Sequence, residues 1–190
     1  MKKATCVTGS KLYLRPLKKE DINKRYLFWL NDADVTRYMQ MRFSPPNMID
    51  LKKYYESVKC RNEARMFAIV KKDGHEHIGN IKLDHIDPYH KFADLGIIIG
   101  EKKYWGRGYG QEACRLLLKY AFGILKLNKV ILGVYSINIP AIKAYEKVGF
   151  KNEGRLKNII SFNGRFVDDI LMGISKNEFF AKRRGKISQK

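Results

Sequence analysis

Trp105-Gly106-Arg107-Gly108-Tyr109-Gly110-Gln111 places glycines at alternating positions with a cation and a ring between them. Glycine allows backbone conformations and close approaches that other residues do not, so such a loop can turn successive N–H groups toward an anion. Behind it, Ala113, Leu116, Leu117, Tyr120, Ala121 and Ile124 form an apolar stripe at helical spacing, with Gln111, Arg115, Lys119 and Lys126 off the stripe. A helix starting here adds the positive end of its dipole to the loop, which makes a phosphate or pyrophosphate site. The loop matches neither familiar nucleotide fingerprint: its glycines alternate singly, unlike GxGxxG, and no Lys-Ser/Thr pair closes it as a Walker sequence requires. Further along, Asn138 can cap a helix, Pro140 suits its first turn and Gly149 its end. Tyr145 lies inside that helix, and its phenol can donate a proton at neutral pH.

These groups need elements to hold them. Leu95, Ile97, Ile98 and Ile99 form a short apolar, isoleucine-rich run bounded by glycine, a buried strand feeding the loop. Upstream, residues 11–17 alternate as a first strand. Glu20-Asp21 are expected to open a helix with Ile22, Tyr26, Leu27 and Leu30 inward and Asn31-Asp32 at its end. Residues 35–39 read as a short helical turn, and after Pro45-Pro46 a helix over 48–59 turns Leu51, Tyr54, Tyr55 and Val58 inward. Trp29, Tyr38 and Phe43 are read as core residues. Strands over 66–71 and 77–86, joined by a two-residue turn at Asp73-Gly74, continue into 92–100 as an antiparallel meander. A strand over 128–135, a helix over 139–148 and a hairpin of 150–160 with 166–175 through Asn163-Gly164 complete the chain. The order implies a mixed α/β layer architecture, in one domain over residues 1–175 followed by a basic tail over 176–190.

Composition narrows the function classes. At 190 residues and 45% apolar content the chain can bury a continuous core. Its 38 Lys and Arg against 19 Asp and Glu give a formal charge of +19, a field that draws anionic ligands. Cys6, Cys60 and Cys114 are odd in number and lack CxxC spacing, which points to a reducing compartment, by default the cytoplasm. Met1-Lys2-Lys3 is followed by no apolar signal region, and no stretch is apolar enough for a membrane span, so a soluble protein without a membrane partner is expected. A non-enzymatic RNA or ribosome binder is the competing class. It has charge as its only support, since the basic residues are dispersed and no RNP, KH or zinc-finger signature occurs, so a nucleic-acid partner is not expected. His75, His77, His85 and His90 sit near Glu76, Asp84 and Asp87, but without HExxH spacing; a hairpin and turn explain them, and no metal is expected. Asp168-Asp169 are adjacent on a strand, face opposite ways and cannot share a proton.

The Arg107-Gly108-Tyr109-Gly110 loop and the segment from Asn138 to Phe150, of the form NxxAxxxYEKxGF, together resemble the acetyl-CoA motifs of the GNAT N-acetyltransferase superfamily. The opening Leu12-Tyr13-Leu14-Arg15-Pro16-Leu17, the segment Trp29-Leu30-Asn31-Asp32 and the hairpin Asn163-Gly164-Arg165-Phe166-Val167-Asp168-Asp169 are similar to the branch containing ribosomal-protein, polyamine and amino-sugar acetyltransferases. The resemblance implies the GNAT fold, a mostly antiparallel central sheet with helices on both faces and a splayed parallel strand pair, here 95–100 and 130–135. It also implies acetyl-CoA as donor and a small primary amine as acceptor. By the same resemblance the pantetheine arm lies against free backbone groups placed at Ile98, Ile99 and Gly100. Gly106, Arg107, Gly108, Tyr109, Gly110 and Gln111 hold the pyrophosphate, Asn138 contacts the cofactor, and Tyr145 is the acid that protonates the departing thiolate.

Two departures from the family pattern matter. Trp105 stands where the loop usually carries Gln or Arg, so a phosphate contact is weakened, with Arg107 able to supply a charge. Gly133, five positions before Asn138, stands where members acting on protein N-termini often carry a glutamate base. Asp84, His85, Asp94 and Glu101 are therefore undistinguished candidates for a base acting through water. The net charge favours an anionic acceptor, such as a nucleotide-linked amino sugar, over a polyamine or a ribosomal protein N-terminus unless an acidic patch exists locally. A homodimer is compatible with the sequence, which leaves the oligomeric state open.

Overall fold

The computed structural model describes residues 6–187, with side chains as far as Ala181. Met1-Lys2-Lys3 and the side chains of the basic end from Lys182 lie outside the described residues. A single eight-stranded sheet, in the order β1-β2-β3-β4-β5-β6-β8-β7, organises the chain. Its strands are β1 (Val7–Thr8), β2 (Leu12–Pro16), β3 (Arg65–Lys71), β4 (His77–Asp87), β5 (Phe92–Ile99), β6 (Lys129–Tyr135), β7 (Lys151–Phe162) and β8 (Arg165–Ser175). All neighbours pair antiparallel except β5 and β6, which are parallel. The helices are α1 (Lys24–Asn31), α2 (Ala33–Thr36), α3 (Met48–Cys60), α4 (Tyr109–Gly123), α5 (Ile139–Val148) and α6 (Lys176–Ile187).

Both faces of the sheet are covered, which is the mixed α/β arrangement expected. On one face Leu12, Leu14, Phe67, Ile81 and Leu83 pack with Leu116, Leu117 and Tyr120 of α4. On the other, Ala68, Val70 and Ile98 meet Tyr26, Trp29 and Leu30 of α1 and Leu51 of α3. Each large side chain buried this way contributes about 1.5–3 kcal/mol. The α4 stripe is buried through Ala121, whereas Ile124 falls at the helix end and is exposed.

Local chemistry moves several expected boundaries. Glu20-Asp21 do not open α1; Lys19–Asp21 form a 3-10 turn, because the Asp21 carboxylate accepts two hydrogen bonds from the Arg15 guanidinium, 2.6 and 2.7 Å, and one from the Lys18 N–H. Asn23 caps α1 instead, accepting from the N–H groups of Arg25 and Tyr26. The β3–β4 turn is longer than two residues: the Lys71 N–H reaches the Glu76 carbonyl, and both Gly74 (φ 72°) and His75 (φ 49°) are left-handed. Trp29 is fully buried as expected, but Phe43 is exposed, and Tyr38 is half-buried. Tyr54 is only partly covered and lines a cavity. The packed unit also runs past residue 175, since Phe179 of α6 is buried against Phe122 with ring centroids 5.6 Å apart.

Candidate active site

Pairing between β5 and β6 covers only Phe92–Lys129, Ala93–Val130 and Asp94–Ile131. Beyond that point β5 stays paired to β4 as far as Ile99–Gly79, and β6 stays paired to β8 as far as Tyr135–Asp169. The two strands therefore part, and the edges they turn to one another form a wedge with unused backbone groups. The Gly100 N–H donates to the Ile78 carbonyl at 2.9 Å. Alternation along an antiparallel strand then turns the groups of Ile98 to β4 and those of Ile97 and Ile99 into the wedge. Of Ile98, Ile99 and Gly100, therefore, Ile98 and Gly100 are turned to β4, and only Ile99, joined by Ile97, is turned to the wedge, with the N–H of Ile99 left for a ligand. Gly100 has a different task, because a Cβ there would overlap the Trp29 ring. Trp29 Nε1 in turn donates to Glu101 Oε1 at 3.1 Å. Trp105 is also accounted for, as its indole N–H donates to the Ile99 carbonyl at 2.8 Å, at the tip of β5.

The loop after the wedge has the conformation that its glycines allow. Gly106 and Gly108 have φ of 71° and 83°, and a Cβ at either would meet nothing within 4 Å, so backbone conformation alone calls for glycine. The first bond within α4 runs from the Glu112 N–H to the Gly108 carbonyl. The N–H groups of Tyr109, Gly110 and Gln111 precede it and have no acceptor within the helix. Gly110 lies against Ile97 and Ile99, which joins the helix start to the wedge wall. Glu112 would oppose an anion here, but its carboxylate is engaged by the Ser10 hydroxyl at 3.1 Å and the Lys11 N–H at 2.9 Å. Beside this helix start is a cavity of about 510 Å³ whose lining includes Lys11, Gly108, Gln111, Arg115, Lys119 and Lys147. Free amides, a helix N-terminus and clustered cations fit the polyphosphate of CoA.

On α5, the Asn138 side chain accepts from the Ala141 N–H at 3.3 Å, so its cap role is visible in the structure. Tyr145 is half-buried, packs edge-on to Phe150 with centroids 5.8 Å apart, and lies near Cys114 of α4. Burial raises its pKa above the ordinary phenol value, which keeps the proton available for donation. Burial likewise pushes the Cys114 thiol up to about 12, so it is inert as a nucleophile.

The base candidates drawn from sequence are all engaged. Burial alone would raise the Asp84 pKa, yet the Lys82 ammonium at 2.7 Å, helped by Arg61, holds it below the ordinary value. His85 Nδ1 and Asp94 Oδ2 are 2.7 Å apart, and Asp94 lies where β5 and β6 are still paired. Glu101 accepts from Arg25 Nε at 2.7 Å as well as from Trp29. His77 hydrogen-bonds Asn80 and the Gly79 carbonyl, both at 2.9 Å.

Sequence reasoning passed over Asp169. Its neighbour Asp168 faces Arg155 and the Asn158 N–H, whereas Asp169 turns to the opposite face and lies over Gly133. A clue was present in the sequence, a bare glycine on one strand and an acidic residue on another, but their adjacency depends on strand order. Around them Tyr38 stacks on Phe162 at 5.8 Å and meets Tyr135 edge-on at 6.5 Å. The Arg42 guanidinium lies 4.5 Å from the Phe43 ring and 4.4 Å from the Phe162 ring. A second cavity, of about 350 Å³, opens between α1, α3 and β4–β5, lined by Tyr26, Met39, Asp50, Tyr54, Lys82 and Ile98 among others.

Comparison with known proteins agrees with this geometry. Residues 11–151 match the family model described as an acetyltransferase (GNAT) domain. The spermidine N(1)-acetyltransferase of Escherichia coli K12 is 34% identical over 174 residues, covering 90% of this chain and 89% of that protein. An uncharacterized N-acetyltransferase, p20, of Bacillus licheniformis is 29% identical over 171 residues, covering 89% and 95%. Among solved structures, the Vibrio cholerae spermidine N-acetyltransferase in complex with CoA and spermine superposes with a TM-score of 0.81 at 30% identity, covering 90% of this chain and 99% of that one.

Proposed function

The chain belongs to the GNAT acetyltransferase family and is an acetyl-CoA-dependent acyltransferase; from that premise we propose that its acceptor is a primary amine of a small polyamine. The observation that carries the reaction is the end of β5–β6 pairing after Asp94–Ile131, which leaves a backbone-lined wedge leading to the α4 N-terminus. In this reading Ile97 and Ile99 meet the amides of the pantetheine arm, and an unsatisfied buried amide would otherwise cost about 1–3 kcal/mol. The amides from Arg107 to Gln111 meet the pyrophosphate, with Lys11, Arg115, Lys119 and Lys147 beside them. The bound thioester supplies an activated acetyl carbon and a sulfur leaving group. Tyr145 donates a proton to that sulfur, and Asn138 holds the start of the helix that carries Tyr145.

The relatives support a polyamine acceptor, since spermidine is the acceptor in the name of the Escherichia coli enzyme and spermine is bound in the Vibrio cholerae structure. They give no support to the amino sugar favoured by net charge. The local surroundings also weaken the charge argument. Lys11, Arg115, Lys119 and Lys147 gather at the polyphosphate end, whereas Asp169 and the rings of Tyr38, Tyr135 and Phe162 lie on the acceptor face. Rings and a carboxylate attract an alkylammonium ion. The exposed thiols of Cys6 and Cys60 are consistent with a reducing, cytoplasmic setting. The test is thiol release from acetyl-CoA with a panel of spermidine, spermine, glucosamine 6-phosphate and a basic peptide. Turnover is expected with the polyamines, and activity confined to the sugar phosphate would overturn the acceptor assignment.

A further inference from the structure

Side chains alternate across a strand, so the buried Val130, Leu132 and Val134 of β6 leave Ile131, Gly133 and Tyr135 on the opposite face. On β8 the buried Ile170, Met172 and Ile174 likewise leave Asp169 and Leu171 on that face. Asp169 is in register with Tyr135, and Leu171 with Gly133. The Asp169 carboxylate does not stand over its own partner; it leans along the strand onto the bare Cα of Gly133. A Cβ at Gly133 would lie 2.6 Å from Asp169 Oδ2 and 3.3 Å from its Cγ. The missing side chain is therefore what makes room for the carboxylate. Gly133 is exposed and lies on β6 beyond Ile131, the last residue paired to β5, so the carboxylate sits on one wall of the wedge where an acceptor can reach it.

We propose that Asp169 is a catalytic residue that receives the ammonium group of the acceptor and removes its proton. The inference rests on the acetyl-transfer reading above. The ammonium passes one proton to the carboxylate, and the freed nitrogen lone pair forms a C–N bond with the acetyl carbon as the C–S bond breaks. A second N–H proton leaves the nitrogen, the departing sulfur is protonated by Tyr145, and that second proton restores the phenol. Asp169 returns its own proton to water, so the acetyl group moves from sulfur to nitrogen and one net proton is released.

The surroundings suit a base. Burial raises the Asp169 pKa above the ordinary carboxylate value, which increases its basicity and narrows the gap to an amine. Tyr135 from β6 faces it, and Leu156, opposite on β7, adds no charge. Arg42 approaches the same cluster from the turn Gln40–Phe43, but its guanidinium donates to the carbonyls of Ser161 and Arg37 and lies against Phe43 and Phe162. Asp168 is engaged on the other face by Arg155.

The test compares wild type with Asp169→Asn, which keeps the shape of the side chain, using spermidine as acceptor across neutral to alkaline pH and calorimetry for CoA affinity. The expected wild-type kcat/KM levels off near neutrality, above the Asp169 pKa. In Asp169→Asn it falls about 100-fold at neutral pH and climbs about tenfold per pH unit toward the amine pKa, because only the free amine then reacts, while CoA affinity is unchanged. The double variant Gly133→Glu with Asp169→Ala returns a carboxylate from the neighbouring strand and should recover about tenfold or more over Asp169→Ala alone. An Asp169→Asn enzyme with wild-type kcat/KM and an unchanged pH profile overturns the role while leaving acetyl transfer standing. Absence of thiol release by the wild type with every amine overturns the acetyl-transfer reading, and this role with it.

Discussion

In the mechanism proposed above, Tyr145 and Asp169 divide the proton chemistry by environment. A half-buried phenol near the inert Cys114 thiol keeps its proton, and a carboxylate over an exposed glycine can take one up. Tyr145→Phe removes the proton donor while keeping the ring that packs on Phe150. Its kcat is expected to fall about 100-fold with CoA affinity unchanged, measured by thiol release and calorimetry; unchanged turnover would remove Tyr145 from the mechanism. The helix that carries Tyr145 was legible in the sequence because it is punctuated locally by Asn138, Pro140 and Gly149. The closeness of Asp169 to Gly133 was not, because it depends on which strands are neighbours.

At the scale of elements, α4 and α5 were the most legible parts of the chain. Periodicity, caps and glycines are local signals, and α5 spans Ile139–Val148 as the sequence predicts. The N-terminus of α1 was misread because Asp21, a plausible first-turn acid, is taken by Arg15 from β2. Which β5 groups face the wedge was likewise hidden, since that depends on the bond between Gly100 and Ile78. The helix start at Gly108 gives a test of the loop. Its φ of 83° disfavours any residue with a Cβ, by about 1–2 kcal/mol, although the space around it is open. Gly108→Ala should therefore weaken CoA binding by about tenfold in calorimetry without loss of the folded state. Wild-type affinity in that variant would mean the loop conformation does not contribute to binding.

For the whole molecule, the proposed polyamine acceptor sets the local distribution of charge above the net charge of +19. Acidic groups are held among cations, as at Glu76: burial alone would raise its pKa, but Tyr104, Lys103 and Arg25 hold it down at about 2. Among the described residues no helix is long and apolar enough to cross a membrane. The fold class and the helices on both faces followed from sequence, whereas the insertion of β8 between β6 and β7, which brings Asp169 to Gly133, did not. In the proposed binding mode the diverging β5 and β6 strands and the amides before α4 hold acetyl-CoA. Amide chemical shifts recorded during a CoA titration test this most directly: Ile97, Ile99 and the residues from Arg107 to Gln111 are expected to shift together and saturate at a single affinity. Saturation with CoA that leaves those amides unmoved would contradict it.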